Sequence, residues 1–111
     1  MSRHDDSVSL RQMLDHAREA VNMAQGRKRE DLADDRKLEL ALTRLIEITG
    51  EAAARVSQSG RQRCSRIPWT QIIGMRNRII HGYDVVDLGI LWDVIKEDLP
   101  MLITELEQII K

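Results

Sequence analysis

The sequence predicts an all-α chain folded as an antiparallel bundle of four to five helices, and three observations carry that prediction. Apolar residues recur at spacings of three and four through most of the 111 residues. Phe is absent and the aromatics amount to two Trp and one Tyr. The core must therefore be built from Leu, Ile, Val, Met and Ala, which suits helix-on-helix packing better than a β-sandwich. Only two prolines and six glycines are available to break the periodicity. The length fits one domain, residues 1–111, able to bury a core without staples.

Ser7 is a candidate cap for the first helix. Leu10, Leu14, Ala17, Val21 and Ala24 follow on one face, and Gly26 closes the helix before the basic turn Arg27-Lys28-Arg29. Asp31, Asp34 and Asp35 sit where acids favour the start of a second helix. Its apolar set (Leu38, Leu42, Leu45, Ile46, Ile48, Ala52, Ala53, Val56) covers two faces, so this helix belongs at the centre. Gly50 interrupts it at a cost of about 1 kcal/mol relative to Ala, which points to another helix or a bound group approaching closely. Residues 57–66 read as a polar loop. Pro68 suits the first turn of a third helix, with Trp69, Ile72, Ile73, Ile79 and Ile80 on its apolar face and Gly82 as its breaker. Asp84 or Asp87 caps the last helix, whose stripe runs Leu88, Leu91, Ile95, Leu99, Leu102, Leu106, Ile109; Pro100 inside it should kink or split it.

The N-terminus carries Arg3, His4, Asp5 and Asp6 and no apolar run, so no signal peptide is expected there. No stretch approaches the ~20 apolar residues of a membrane span. A cytoplasmic, soluble protein is expected, with Cys64 as a single inert thiol in a reducing compartment. The net charge of -1 excludes a globally basic nucleic-acid binder, but its distribution is uneven. Between Ala52 and Tyr83 stand Arg55, Arg61, Arg63, Arg66, Arg76 and Arg78 with no acid among them. Such a segment is either a phosphate footprint or a solvated basic loop.

The segment Met75-Arg76-Asn77-Arg78-Ile79-Ile80-His81-Gly82-Tyr83 stands apart. On a helix continuous from Trp69, the residues Trp69, Ile72, Ile73 and Ile80 lie within roughly 60° of Arg76, which sets a guanidinium along the apolar face. There it needs a partner: a buried ion pair, a neighbouring helix's carbonyls, or a bound anion. Asn77 and His81 are one turn apart on such a helix and within hydrogen-bonding reach. For a lone histidine, a satisfied and partly buried role is the commoner one.

Arg-x4-His-x-Tyr with Asn after the Arg resembles the signature of HepT-like toxins, a branch of the HEPN superfamily. The resemblance covers most of the chain. Ile48-Thr49-Gly50-Glu51-Ala52-Ala53 is similar to the Gly-Glu-Ala-Ala element of the second helix. Ile67-Pro68-Trp69, Gly74-Met75-Arg76-Asn77 and His81-Gly82-Tyr83 match the third, and Trp92 with Asp98-Leu99-Pro100 the closing helix. The resemblance implies a helical bundle of HEPN type that forms a homodimer, with two Arg-x4-His motifs meeting in a shared cleft, and cleavage of RNA without metal. It also implies pairing with a minimal nucleotidyltransferase antitoxin, which in some systems adds AMP to the motif tyrosine. Carried over, Arg76 and His81 are catalytic, Asn77 supports them and Tyr83 is the modification site. No cofactor and no metal are implied.

These residue types fit that chemistry. RNA carries its own nucleophile, the 2'-hydroxyl. Cleavage needs a base for its proton, an acid for the leaving oxygen, and positive charge at the phosphate. Histidine serves as base or acid near neutrality, and arginine forms a fork on two phosphate oxygens. One His and one Arg per chain make a sparse site, which a two-fold dimer doubles. Glu51 is a candidate to orient Arg76, and Arg61, Arg63, Arg66 and Arg78 are candidates to hold RNA. Two other functions are open to the same sequence. One is a non-catalytic bundle that binds or presents substrate to a nucleotidyltransferase. The other is a nucleotide-binding dimer without cleavage.

Overall fold

The computed structural model describes residues 5–82 and 85–110. The expectations resting on Tyr83 and on Asp84 as a cap lie outside the described residues. Helix α1 (Asp6–Ala24) is capped not by Ser7 but by Asp5, whose carboxylate accepts the Ser7 backbone N–H at 3.0 Å and its hydroxyl at 2.7 Å. A carboxylate one step earlier can reach the orphan N–H groups of the first turn, and Ser7 is already inside the helix. Gly26, at φ 76°, follows the helix end as the sequence suggests.

The acids expected to open one helix are divided between two. Asp31 and Asp34 lie in a single turn, α2 (Asp31–Asp34), and Asp35 caps α3 (Arg36–Arg55) through the Leu38 N–H. Helix α3 is central: it packs against α1 along one face and against the third-helix region on the other. Leu42, Ile46, Ala52 and Ala53 are fully enclosed, as are Met13, Ala17 and Ala20 of α1 opposite. Small residues on α1 let the two long helices lie close. A Cβ placed on Gly50 would come within 3.3 Å of the Ile72 carbonyl oxygen and 3.4 Å of that of Ile73, so the close approach read from the sequence is made by backbone.

The expected loop at residues 57–66 contains a helix, α4 (Gln58–Arg63). Ser57 caps it, its hydroxyl accepting the Gly60 N–H at 3.1 Å, and that hydroxyl also donates to Asp6 at 2.5 Å. A local cap and the ties of Ser57 and Arg63 to Asp6 of α1 outweigh the poor intrinsic helix propensity of Gln-Ser-Gly.

The third helix is not continuous. It divides at Gly74 into α5 (Trp69–Ile73) and α6 (Met75–Ile79), and the chain then becomes extended. Strand β1 (Ile80–His81) pairs antiparallel with β2 (Val85–Val86), His81 opposite Val85. Gly82 ends the strand at φ 56°, a left-handed conformation that glycine adopts freely. Helix α7 (Leu88–Asp93) is capped by Asp87, whose carboxylate accepts the Ile90 N–H at 3.0 Å. It runs through a π-helical turn, Val94–Asp98, into α8 (Leu99–Ile109). Pro100 explains the turn: it has no N–H for the preceding carbonyls, and the chain widens so that the Leu99 N–H reaches back to Val94. Leu99, Leu102 and Leu106 close the core, chiefly on α1.

Candidate active site

The site begins with the break at Gly74. A helix continuous from Trp69 sets Arg76 beside Ile72 and Ile80, but the enclosed face runs through Ile72, Met75 and Ile79, with Arg76 at its edge. Within α6 the buried residues are Met75 and Ile79, while Arg76, Asn77 and Arg78 are exposed. The sequence expectation of an arginine along the apolar face is therefore corrected. Arg76 stands at the surface with its side chain 45% exposed, and its Nε donates to Glu47 Oε2 at 2.5 Å. Glu47 is a middle residue of α3, and its other oxygen lies 3.7 Å from Arg44 Nη1.

Arg76 and Glu47 line a groove of ≈ 370 Å³ between α3 and the hairpin, with Leu40, Arg44, Ile80 and Val86 among its walls. Successive groove residues on α3 are spaced by three or four positions, so one helix face supplies them. Leu40 is 50% exposed and Val85, beside Val86, is 64% exposed. Thr43 lies under the groove with a buried hydroxyl that finds no hydrogen-bond partner among the described residues.

His81 does not line this groove. In a two-residue strand successive side chains point to opposite faces, and Ile80 takes the groove side. The His81 ring is exposed, with Nε2 3.7 Å from Asp87 Oδ2, near enough for attraction but too long for a hydrogen bond. The Asn77–His81 hydrogen bond expected from helical spacing does not form, because the helix ends at Ile79 and four residues no longer make one turn.

Glu51, expected to orient Arg76, instead faces Arg44 at 3.4 Å; Glu47, one turn earlier, occupies that place. Among the described residues, Glu47 and Asp87 are neighbours of Arg76 and His81 that sequence reasoning missed. The charged face of α3 signalled the first, since Arg44 and Glu47 stand three apart. Asp87 was read only as a cap.

The four arginines considered for RNA do not gather around Arg76. Arg61 donates to the Val56 and Ala54 carbonyls at 3.1 and 3.0 Å, closing the C-terminal end of α3, and lies over the Trp69 ring. Arg63 is 3.8 Å from Asp6, and Arg66 is 2.9 Å from Glu105. Arg78 is 2.6 Å from the buried carboxylate of Asp98, which also accepts from Gln71 at 3.1 Å. That cluster ties α5 and α6 to the π-helical turn. Much of the basic segment is thus engaged in holding elements together. Burial pushes the Cys64 thiol up from its ordinary value, which favours the protonated, unreactive form. Among the described residues, no cluster of three or more His, Cys, Asp or Glu side chains is placed to hold a metal ion, and no helix is long and apolar enough to cross a membrane.

An all-helical bundle that displays an exposed arginine and, five residues on, an exposed histidine falls in the class already suggested by the Arg-x4-His pattern. Comparison with known proteins identifies the family. Residues 13–109 match the family model described as "HepT-like: Ribonuclease HepT-like", and the chain belongs to that family. A relative from Methanocaldococcus jannaschii named "Putative RNase MJ1380" is 29% identical over 107 residues, 96% of this chain and 98% of that one. One from Caldanaerobacter subterraneus subsp. tengcongensis, "Putative RNase TTE0752", is 31% identical over 102 residues, 92% of this chain and 91% of its own. "Probable ribonuclease HepT" of Thermococcus cleftensis is 37% identical over 82 residues, 74% of each chain. No solved structure matches the chain significantly.

Proposed function

We propose that the protein is a metal-independent endoribonuclease toxin of a type II toxin–antitoxin system, cutting RNA in a cleft formed by two copies of the chain. Arg76 and His81 carry the chemistry, with Asn77 in support and Glu51 reaching Arg76 only indirectly, through Arg44 and Glu47. The observation that carries this reading is the exposure of both motif residues on a small, rigidly packed scaffold. Arg76 opens on a groove and His81 stands on the adjacent strand, in a chain whose relatives are named as ribonucleases.

His81 takes the proton of the 2'-hydroxyl, whose oxygen attacks the neighbouring phosphorus. The 5' oxygen leaves with a proton from a second acid, and the products are a 2',3'-cyclic phosphate and a 5'-hydroxyl. Arg76 stabilises the charge that builds on the phosphate oxygens. One chain offers one His81, and it faces away from its own Arg76 groove. A two-fold dimer supplies the second, one acting as base and the other as acid. The exposed Leu40 and Val85 beside the groove support such an association.

Neutralisation falls to a minimal nucleotidyltransferase antitoxin. Transfer of AMP from ATP to the Tyr83 hydroxyl, with release of pyrophosphate, adds bulk and negative charge two positions along the chain from His81 and so disfavours RNA. The setting is the cytoplasm.

Purified, unmodified protein incubated with a mixed cellular RNA pool in EDTA tests the reading. The wild type is expected to cut RNA, and Arg76→Ala and His81→Ala to lose at least about a hundredfold in rate, the scale of a lost acid–base or charge-stabilising group. No cleavage of tRNA or mRNA by an unmodified dimer overturns it and favours the partner-binding bundle.

A further inference from the structure

Arg76 stands on a short, weak support. Helix α6 spans five residues, and no side chain caps its start. So short a helix has little stiffness of its own, and an arginine side chain has several freely rotating bonds. Fixing the guanidinium therefore calls on contacts from outside α6, and one of them comes from α3. Glu47 reaches it from the middle of the twenty-residue α3, with its own side chain only 24% exposed. The carboxylate holds the Nε edge of the guanidinium, and the planar fork then directs its terminal edge away from Glu47. The carboxylate is steadied on its other oxygen by Arg44, which also meets Glu51, so four charged residues run in line as Glu51, Arg44, Glu47 and Arg76.

We infer that Glu47 is a positioning residue for Arg76, setting from α3 the angle at which the guanidinium meets the phosphate. The inference rests on the ribonuclease reading above and adds a residue outside the Arg-x4-His pattern. It carries a distinctive kinetic consequence. Glu47 brings negative charge close to where RNA phosphate binds, so it opposes binding while it favours the oriented transition state. Removing it loosens Arg76 and at the same time relieves repulsion.

In steady-state RNA cleavage, Glu47→Ala is expected to lower kcat about tenfold, less than the roughly hundredfold that a 1 Å misplacement costs in an enclosed site, because this one is partly exposed. KM is expected to fall or hold. Glu47→Gln keeps an acceptor for the Nε–H and drops the charge, so its kcat should stay within about threefold of the wild type while KM falls. A merely structural glutamate gives neither the split nor the rescue. The Arg76 Nε–H resonance, read by NMR in folded protein, gives a second measure. It should be protected from water exchange in the wild type and Glu47→Gln, and lose protection in Glu47→Ala.

Wild-type kcat in Glu47→Ala overturns the inference. So does an equal loss in Glu47→Gln, or an Nε–H resonance indifferent to both substitutions. If the wild type cuts no RNA, the ribonuclease reading falls and takes the catalytic role of Glu47 with it, whereas an Nε–H resonance that responds as described keeps the Glu47–Arg76 contact.

Discussion

Asp35 shows how much a single side chain does at one junction of this fold. Its carboxylate accepts the Leu38 N–H at the start of α3 and binds Arg27 at 2.7 Å, and both interactions, the cap first, hold its pKa below the ordinary carboxylate value. The depressed folded-state value fixes the sign of the pH dependence. The stabilisation is complete above the unfolded pKa and disappears as the pH falls through the folded one. Thermal melts of wild type and Asp35→Asn should differ most above about pH 4 and converge below it. A gap that widens on acidification contradicts the capping role. The same scale shows where sequence reading succeeds and where it stops. Acidic residues ahead of an apolar run gave the cap region, but choosing among Asp31, Asp34 and Asp35 depends on backbone angles that three neighbouring acids do not distinguish. Asp98 was legible only as part of a family element. Its pairing with Arg78 and Gln71 joins positions 20 and 27 residues away, and no local pattern encodes that distance.

At the scale of elements, the long helices were legible because their stripes persist over many turns: α1, the two-faced α3, and the run from α7 to α8 with its disturbance before Pro100. The short ones were not. Helix α4 depends on a cap and tertiary ties at Asp6, and the third helix breaks at Gly74 and ends at Ile79. The helical wheel, centred on the half-buried Trp69, Ile73 and Ile80 rather than on Ile72, Met75 and Ile79, carried Arg76 onto the apolar face and extended the helix through His81, where the chain is a strand. Gly50 is the case where one residue type revealed a packing contact. A Leu there gains helix propensity of about 0.8 kcal/mol but must displace the backbone carbonyls of α5, and overpacking of this kind costs about 1–3 kcal/mol even where side chains alone give way. Gly50→Leu is expected to destabilise the protein by about 2 kcal/mol in urea unfolding. Unchanged stability would mean that α5 moves freely over α3. Because α5 leads into α6, the same variant should also disturb the support of Arg76.

For the whole molecule, the Arg76 groove and the His81 face are presented by one α6–hairpin unit, yet they open in different directions. On the proposed reading, a second copy meeting exposed Leu40 and Val85 brings a partner's histidine to the groove, and the doubled motif supplies a base and an acid at one phosphate. The basic segment, which the sequence left open between a phosphate footprint and a solvated loop, is largely engaged in holding elements of the bundle together. Subunit sharing is tested most directly with two copies of the chain fused in tandem, one carrying His81→Ala, and its RNA cleavage rate measured beside the fused wild-type pair. With both histidines needed at each cut, the rate should fall at least about a hundredfold, as expected for loss of one general acid or base. A rate of half the wild type or more would contradict the shared centre and assign each cut to a single His81.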